Sequence, residues 1–363
     1  NVSNVRTELR GTFTNTGTID VTGTGYVEAF TSPTFNMNAG SLTTSQHFWL
    51  HGGTMNLTSG ALQGRIGIDN GAIVFKPAPS IQGKVVSAGN STLAGTINVG
   101  ASITVAGSTT YSHAYLTAND AQNAGEVVLA TENGAYDSNL LGKLLNLPSG
   151  QIKALKAGGG TRNVTAELNN QGGLFVETGI RAYLQGPVTS TGTISCPGEV
   201  IVNGANSSFA LNGGTLDAPG FFWGQSRPFK LFGGAITGNV GLDGGSIDFG
   251  SNSTTSGIVS PRGVVSLSGK TSPGITMIGS GSTTVGHGWL TCSNLQLAGS
   301  IVLQTINGSY DSNLTGTISI LPTGSITTWP TGGGSRYVDI VLQNQGLIKF
   351  GANTQLRGGA GGH

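Results

Sequence analysis

Ionisable side chains are scarce in this chain. Asp, Glu, Lys and Arg make up 9% of its 363 residues, against about 25% in an average soluble domain. Lys+Arg number 17 and Asp+Glu 16, leaving a formal charge of +1. A chain so poor in cations lacks the clustered Lys and Arg that neutralise phosphates, which argues against nucleic-acid binding. It equally lacks a polybasic segment for anionic lipid. No stretch approaches the roughly 18 uninterrupted apolar residues of a membrane span. Only two Cys are present, too few for a disulfide framework. Cys196 and Cys292 read as small buried hydrophobes. Disorder is not expected, because 37% of residues are hydrophobic and disordered chains combine low hydrophobicity with high charge. The chain opens at Asn1 without a basic-then-apolar leader, and is expected to be a processed product or a segment of something longer.

Glycine fills the gap, with 62 residues, together with abundant Ser, Thr and Asn. A surface kept wet by neutral groups responds little to salt or moderate pH change. That suits an extracellular or cell-surface location.

The chain repeats itself. Asn133-Gly134-Ala135-Tyr136-Asp137-Ser138-Asn139-Leu140 returns 174 residues later as Asn307-Gly308-Ser309-Tyr310-Asp311-Ser312-Asn313-Leu314. The same offset links Phe48-Trp49 with Phe222-Trp223, His113 with His287 and Arg162 with Arg336. Collinear matches of this length mark an internal duplication. Two homologous blocks are expected, 1–175 and 176–349. A tail, 350–363, comes after them; it begins a third copy or completes a coil with a neighbouring chain. Its Leu356-Arg357-Gly358 echoes Leu9-Arg10-Gly11 and Leu184-Gln185-Gly186.

Within each block a Gly-small-apolar phrase recurs, as in Gly17-Thr18-Ile19, Gly40-Ser41-Leu42 and Gly316-Thr317-Ile318. Its period of two predicts strands with one buried face, and Asn-Gly pairs mark turns. The phrases fall about 20 residues apart, the length of one circuit of a parallel β-helix. The expected fold is all-β, a parallel β-solenoid of about eight coils per block with rungs about 4.8 Å apart. The Leu-rich segment 137–145 tempts a helix reading, but its counterpart 311–320 is β-branched and alternating, so both are expected to be strand. Solenoids ordinarily carry polar terminal caps, and neither end shows one. Val5, Arg6, Leu9, Phe350, Leu356 and Arg357 are therefore the candidate assembly ends, with a second copy of the chain as the partner.

Catalytic, cofactor-binding and metal-binding residues are not expected. Only Asp69/Asp243 and Asp137/Asp311 among the carboxylates recur at equivalent places. Asp243 and Asp248 lack the reproducible pairing that glycosidase chemistry needs, since Val74 stands at the second position in the first copy. The five His read as surface or turn residues. Gly158-Gly159-Gly160-Thr161-Arg162 and Gly332-Gly333-Gly334-Ser335-Arg336 lead into alternating strand, not into the helix a phosphate loop requires. They read as turns. Trp49 and Trp223 are candidate sugar-stacking aromatics, set against packing of one ring of each Phe-Trp pair in the core and the other over a turn.

The phrasing of Asn212-Gly213-Gly214-Thr215-Leu216 and its relatives resembles repeat-rich bacterial surface proteins, the autotransporter passengers and filamentous-haemagglutinin-like adhesins. The resemblance implies a right-handed β-helix in an exported protein used for structure or attachment. The expected function is a non-enzymatic structural segment of an extracellular filament or fibre, with carbohydrate or a cell surface as a further partner. The alternative is a tailspike- or lyase-like β-helix that binds or cleaves polysaccharide.

Overall fold

The computed structural model describes residues 6–351 and 353–357. Among these there is no helix, and the ladders between strands run parallel. The chain winds as a β-solenoid of about 16 turns. Two compact units are distinguished, Asn1–Pro187 and Val188–His363.

Each rung is the template for the next. In the first unit Phe13, Phe35, Met55, Ile73, Leu93 and Ala118 stand in register on successive strands. A second column runs Val85, Ile103, Val127, Ile152 and Leu174. In the second unit Val265, Leu290, Leu314 and Val338 form one such file, and Met277, Ile301, Ile326 and Ile348 another. Side chains alternate across a strand, so Glu167–Asn170 and Gln151–Ala154 bury every second residue. The alternation in the sequence thus becomes columns of like on like.

The ambiguous segment is strand in both places, Ser138–Asn146 and Ser312–Ile320. Each bends at a glycine with positive φ, Gly142 and Gly316. A Cβ at either would sit 2.1 Å from the carbonyl oxygen of Ala118 or Cys292 on the preceding rung. Only glycine turns that corner. Cys292 stands in the core column above Leu267, and both thiols are free and buried. Burial pushes each thiol up to about 12, which leaves them inert near neutrality.

Polar residues also stack. Asn123, Asn146 and Asn170 are fully buried on successive rungs. The Asn123 amide donates to Asn146 Oδ1 at 2.8 Å and the Asn146 amide to Asn170 Oδ1 at 2.7 Å. The corresponding file of the second unit is Leu297, Ile320 and Asn344, with Leu297 and Ile320 buried. One position therefore has two solutions, a bonded amide ladder or a dry aliphatic stack. A mixture is worse than either, because a half-satisfied buried amide loses its bond and keeps its desolvation cost. Asn146→Ile alone should destabilise by about 2–3 kcal/mol. The pair Asn123→Leu with Asn146→Ile should cost less than that single change, as read from urea midpoints. A pair that costs more contradicts the ladder account.

Candidate functional site

The last described turn of the second unit runs through Arg336–Asn344 and Leu347–Phe350, and Thr354–Leu356 begins the next rung above Arg336–Val338. It continues the core columns without covering them. Leu295 and Ile318 are buried, and Leu342, next in their file, is 39% exposed. Leu290, Leu314 and Val338 are buried, and Leu356 above them is 65% exposed. Leu347 and Phe350 are 59% and 45% exposed. Arg357 lies over the Tyr337 ring, 4.0 Å from its centroid. Phe350, Leu356 and Arg357 thus lie along the last described turn of the coil.

At the opposite end of the chain, Arg6–Asn15 is the first described strand; Val5 lies outside the described residues. Leu9 and Phe13 are half-buried, facing Ala29 and Phe35 of the next rung. Arg6 pairs with Glu8 and Glu28 and lies over the Phe30 ring.

Beside this rung stands a group of interacting polar side chains. Tyr26–Met37, Ser41–His51 and Thr54–Asp69 stack so that Glu28, Trp49 and Gly67 align. The His47 and His51 Nε2 atoms each lie 3.6 Å from Glu28 Oε1. His51 Nδ1 is 2.8 Å from Asp69 Oδ1, which also accepts the Trp49 indole N–H at 2.8 Å. Arg65 forms two hydrogen bonds to Glu132, at 2.9 and 2.8 Å. Tyr111 stacks on Trp49 with centroids 5.4 Å apart. Burial holds the His47 imidazolium below its ordinary pKa, with Arg65 and His51 adding to the effect and Glu28 opposing it.

This face decides the two tryptophans. Phe48 and Phe222 pack in the core, as expected, but Trp49 covers a strand and not a turn. Its ring lies against Gly67, where a Cβ would come within 2.2 Å of it, and it is 1% exposed. With Tyr111 stacked on it and Arg65 4.8 Å from its centroid, Trp49 has no face to offer a sugar. Trp223 lies against Gly241 in the same way. Arg262 sits 3.8 Å from its ring centroid and pairs with Asp243 at 3.2 Å. Each indole is thus held between a glycine of the next rung and an arginine.

The recurring loops are also self-contained. Thr161 N–H and Ser335 N–H donate to Asp137 Oδ1 and Asp311 Oδ1, each at 2.7 Å. His113 and His287 accept the backbone N–H of those aspartates at 3.0 Å. The glycine loops hold their own arginine. Arg162, fully buried, donates to the carbonyls of Leu155, Ala157, Gly159 and Gly160 and to Thr131 Oγ1. Arg336 donates to Thr331, Gly333 and Gly334 in the same manner. The space a phosphate would need is filled by guanidinium.

The grouping of Glu28, His47, His51 and Asp69 was not anticipated from the sequence. A signal was there: His47 and His51 lie four apart, and in a strand that spacing puts both on one face. Among the described residues no group of three or more His, Cys, Asp or Glu is arranged to hold a metal ion. No protein-family model, curated protein or solved structure matches the chain.

Burial, with Asp69 adding, pushes the Tyr111 phenol up to about 12. Its folded pKa lies above the unfolded value of about 10, so its contribution to stability is full below pH 10 and is lost as pH rises towards 12. In a tyrosinate absorbance titration one of the seven tyrosines should ionise about two units late. Tyr111→Phe should remove that late step. A variant that keeps it places the perturbed phenol elsewhere.

Proposed function

We propose that this chain is a structural segment of an extracellular filament or fibre in which β-solenoids stack end to end. The single observation that carries the reading is the open end at Leu342, Phe350 and Leu356, where the buried columns of Ile318, Thr328 and Val338 become exposed. Burying an aliphatic or aromatic side chain is worth about 1.5–3 kcal/mol. Three together are of the size needed to offset the about 4–15 kcal/mol entropic cost of association.

A second copy of the chain is the occupant that fits. A solenoid rung is best covered by another rung in register, which pairs its backbone and continues its columns. The repeat supports this choice. Leu184 and Leu356 occupy corresponding places in the Leu-Arg/Gln-Gly echo, and Leu184 is 1% exposed where Leu356 is 65%. The first described strand offers Leu9 and Phe13 as apolar partners. A head-to-tail contact between unlike surfaces does not close and so extends into a fibre.

The molecule is read as a scaffold and not a catalyst. Asp69, Asp137 and Asp311 are each engaged by neighbouring backbone or side-chain donors. The scarcity of charge favours life outside the cell, and the resemblance to bacterial surface adhesins points the same way.

Sedimentation velocity over a range of concentrations should show rod-like species that lengthen as concentration rises. Leu342→Glu combined with Leu347→Glu should stay monomeric with an unchanged far-ultraviolet circular dichroism spectrum. A wild-type chain that is monomeric throughout, or a double variant that assembles equally well, overturns the proposal.

A further inference from the structure

Both units carry a trough at the same point of the coil. In the first it has a volume of about 370 Å³ and is lined by Asp120, Gln122, Lys143, Leu145, Glu167 and Asn169. In the second it has about 250 Å³, with Gln296, Ser319, Leu321, Gln343 and Gln345 among its lining. Each begins at a β-bulge, between Ala118 and Ala121 or between Cys292 and Leu295. Each bulge holds a non-glycine residue at positive φ, Asp120 or Asn294. Bulges re-aim the side chains next along the strand. Beyond each bulge runs a file of outward side chains, one per rung: Thr96, Gln122, Leu145 and Asn169 in one unit, and Lys270, Gln296, Ser319 and Gln343 in the other. Each file spans about 14 Å along its unit.

The lining differs in charge but keeps its amides. The first trough has Lys143 3.6 Å from Asp120 and 3.9 Å from Glu167. In the second, Asn294, Thr317 and Val341 stand at those places, and only side-chain amides, a hydroxyl and apolar groups line the hollow. The shared chemistry is therefore that of neutral groups that both donate and accept hydrogen bonds. The strand backbone beneath is engaged in the ladders, which leaves no edge for an added peptide strand. An extended chain of sugar rings, presenting hydroxyls at each ring, matches such a file.

We infer that these amide-lined troughs bind a neutral polysaccharide laid along the solenoid. This site is distinct from Trp49 and Trp223 and does not depend on end-to-end assembly. The Leu342→Glu/Leu347→Glu protein must therefore bind as well as the wild type, which separates failure of this inference from failure of the filament reading.

Affinity electrophoresis in gels cast with hydroxyethyl cellulose, a neutral β-glucan, provides the test. Retardation should be present, should persist at high salt, and should weaken at least tenfold in the Gln122→Ala/Gln296→Ala/Gln343→Ala protein. The near-isosteric Gln296→Glu/Gln343→Glu protein should lose binding in the second unit and serves if the triple variant fails to fold. No retardation, retardation unchanged in both sets of variants, or retardation only by polygalacturonate and abolished by salt would each overturn the inference.

Discussion

Everything in this molecule depends on the parallel ladder that sets each residue directly above its counterpart one rung away. Backbone hydrogen bonds fix the spacing and the register, and the register then decides what every side chain touches. A leucine meets a leucine, an asparagine meets an asparagine, and a tryptophan is forced to lie on whatever the next rung provides. At Trp49 and Trp223 that is glycine in both cases, because the ring has nowhere else to go.

Polar groups obey the same rule, and this explains how a chain with so little charge tolerates buried amides and buried arginine. The asparagine file is linked along the axis by amide-to-amide bonds, and its N–H groups also reach the carbonyls of Gln151, Gly150 and Gly173. Arg162 and the terminal nitrogens of Arg336 donate to carbonyls of the glycine loops that wrap them, with Asp137 and Asp311 favouring the charged form against burial. Removing one partner from either arrangement leaves a buried group without its bond, which is more costly than never having had the arrangement at all. The loops that punctuate the solenoid are thus closed units, and they are poor places to look for chemistry.

Period-two alternation was enough to read strands, the spacing of the Gly phrases gave the solenoid class, and the alternating counterpart 311–320 gave the strand state of Ser138–Asn146. Alternation states which face a residue takes, but not which residues share a column. The Asn123, Asn146 and Asn170 file was invisible for that reason, and the duplication hid it further by placing Leu297 and Ile320 at the matching positions. Arg162 was seen to recur at 336, yet charge alone points to solvent, and nothing local announces that a guanidinium will fold into its own loop. The fate of Trp49 likewise hangs on Gly67, eighteen residues away in sequence and adjacent only once the rungs are in register. The exposed apolar residues of the final rung were legible in outline, through the echo of Leu9-Arg10-Gly11 in Leu356-Arg357-Gly358.

The same ladder that builds the interior makes an uncovered rung a template, and the account rests on that template being filled by another copy. X-ray diffraction from aligned fibres of the protein addresses this directly. Rungs continuing from one molecule into the next predict a strong meridional reflection at about 4.8 Å, with the strands running across the fibre. A reflection of that spacing on the equator, or an isotropic pattern from a sample that forms no fibres, would contradict end-to-end continuation of the solenoid.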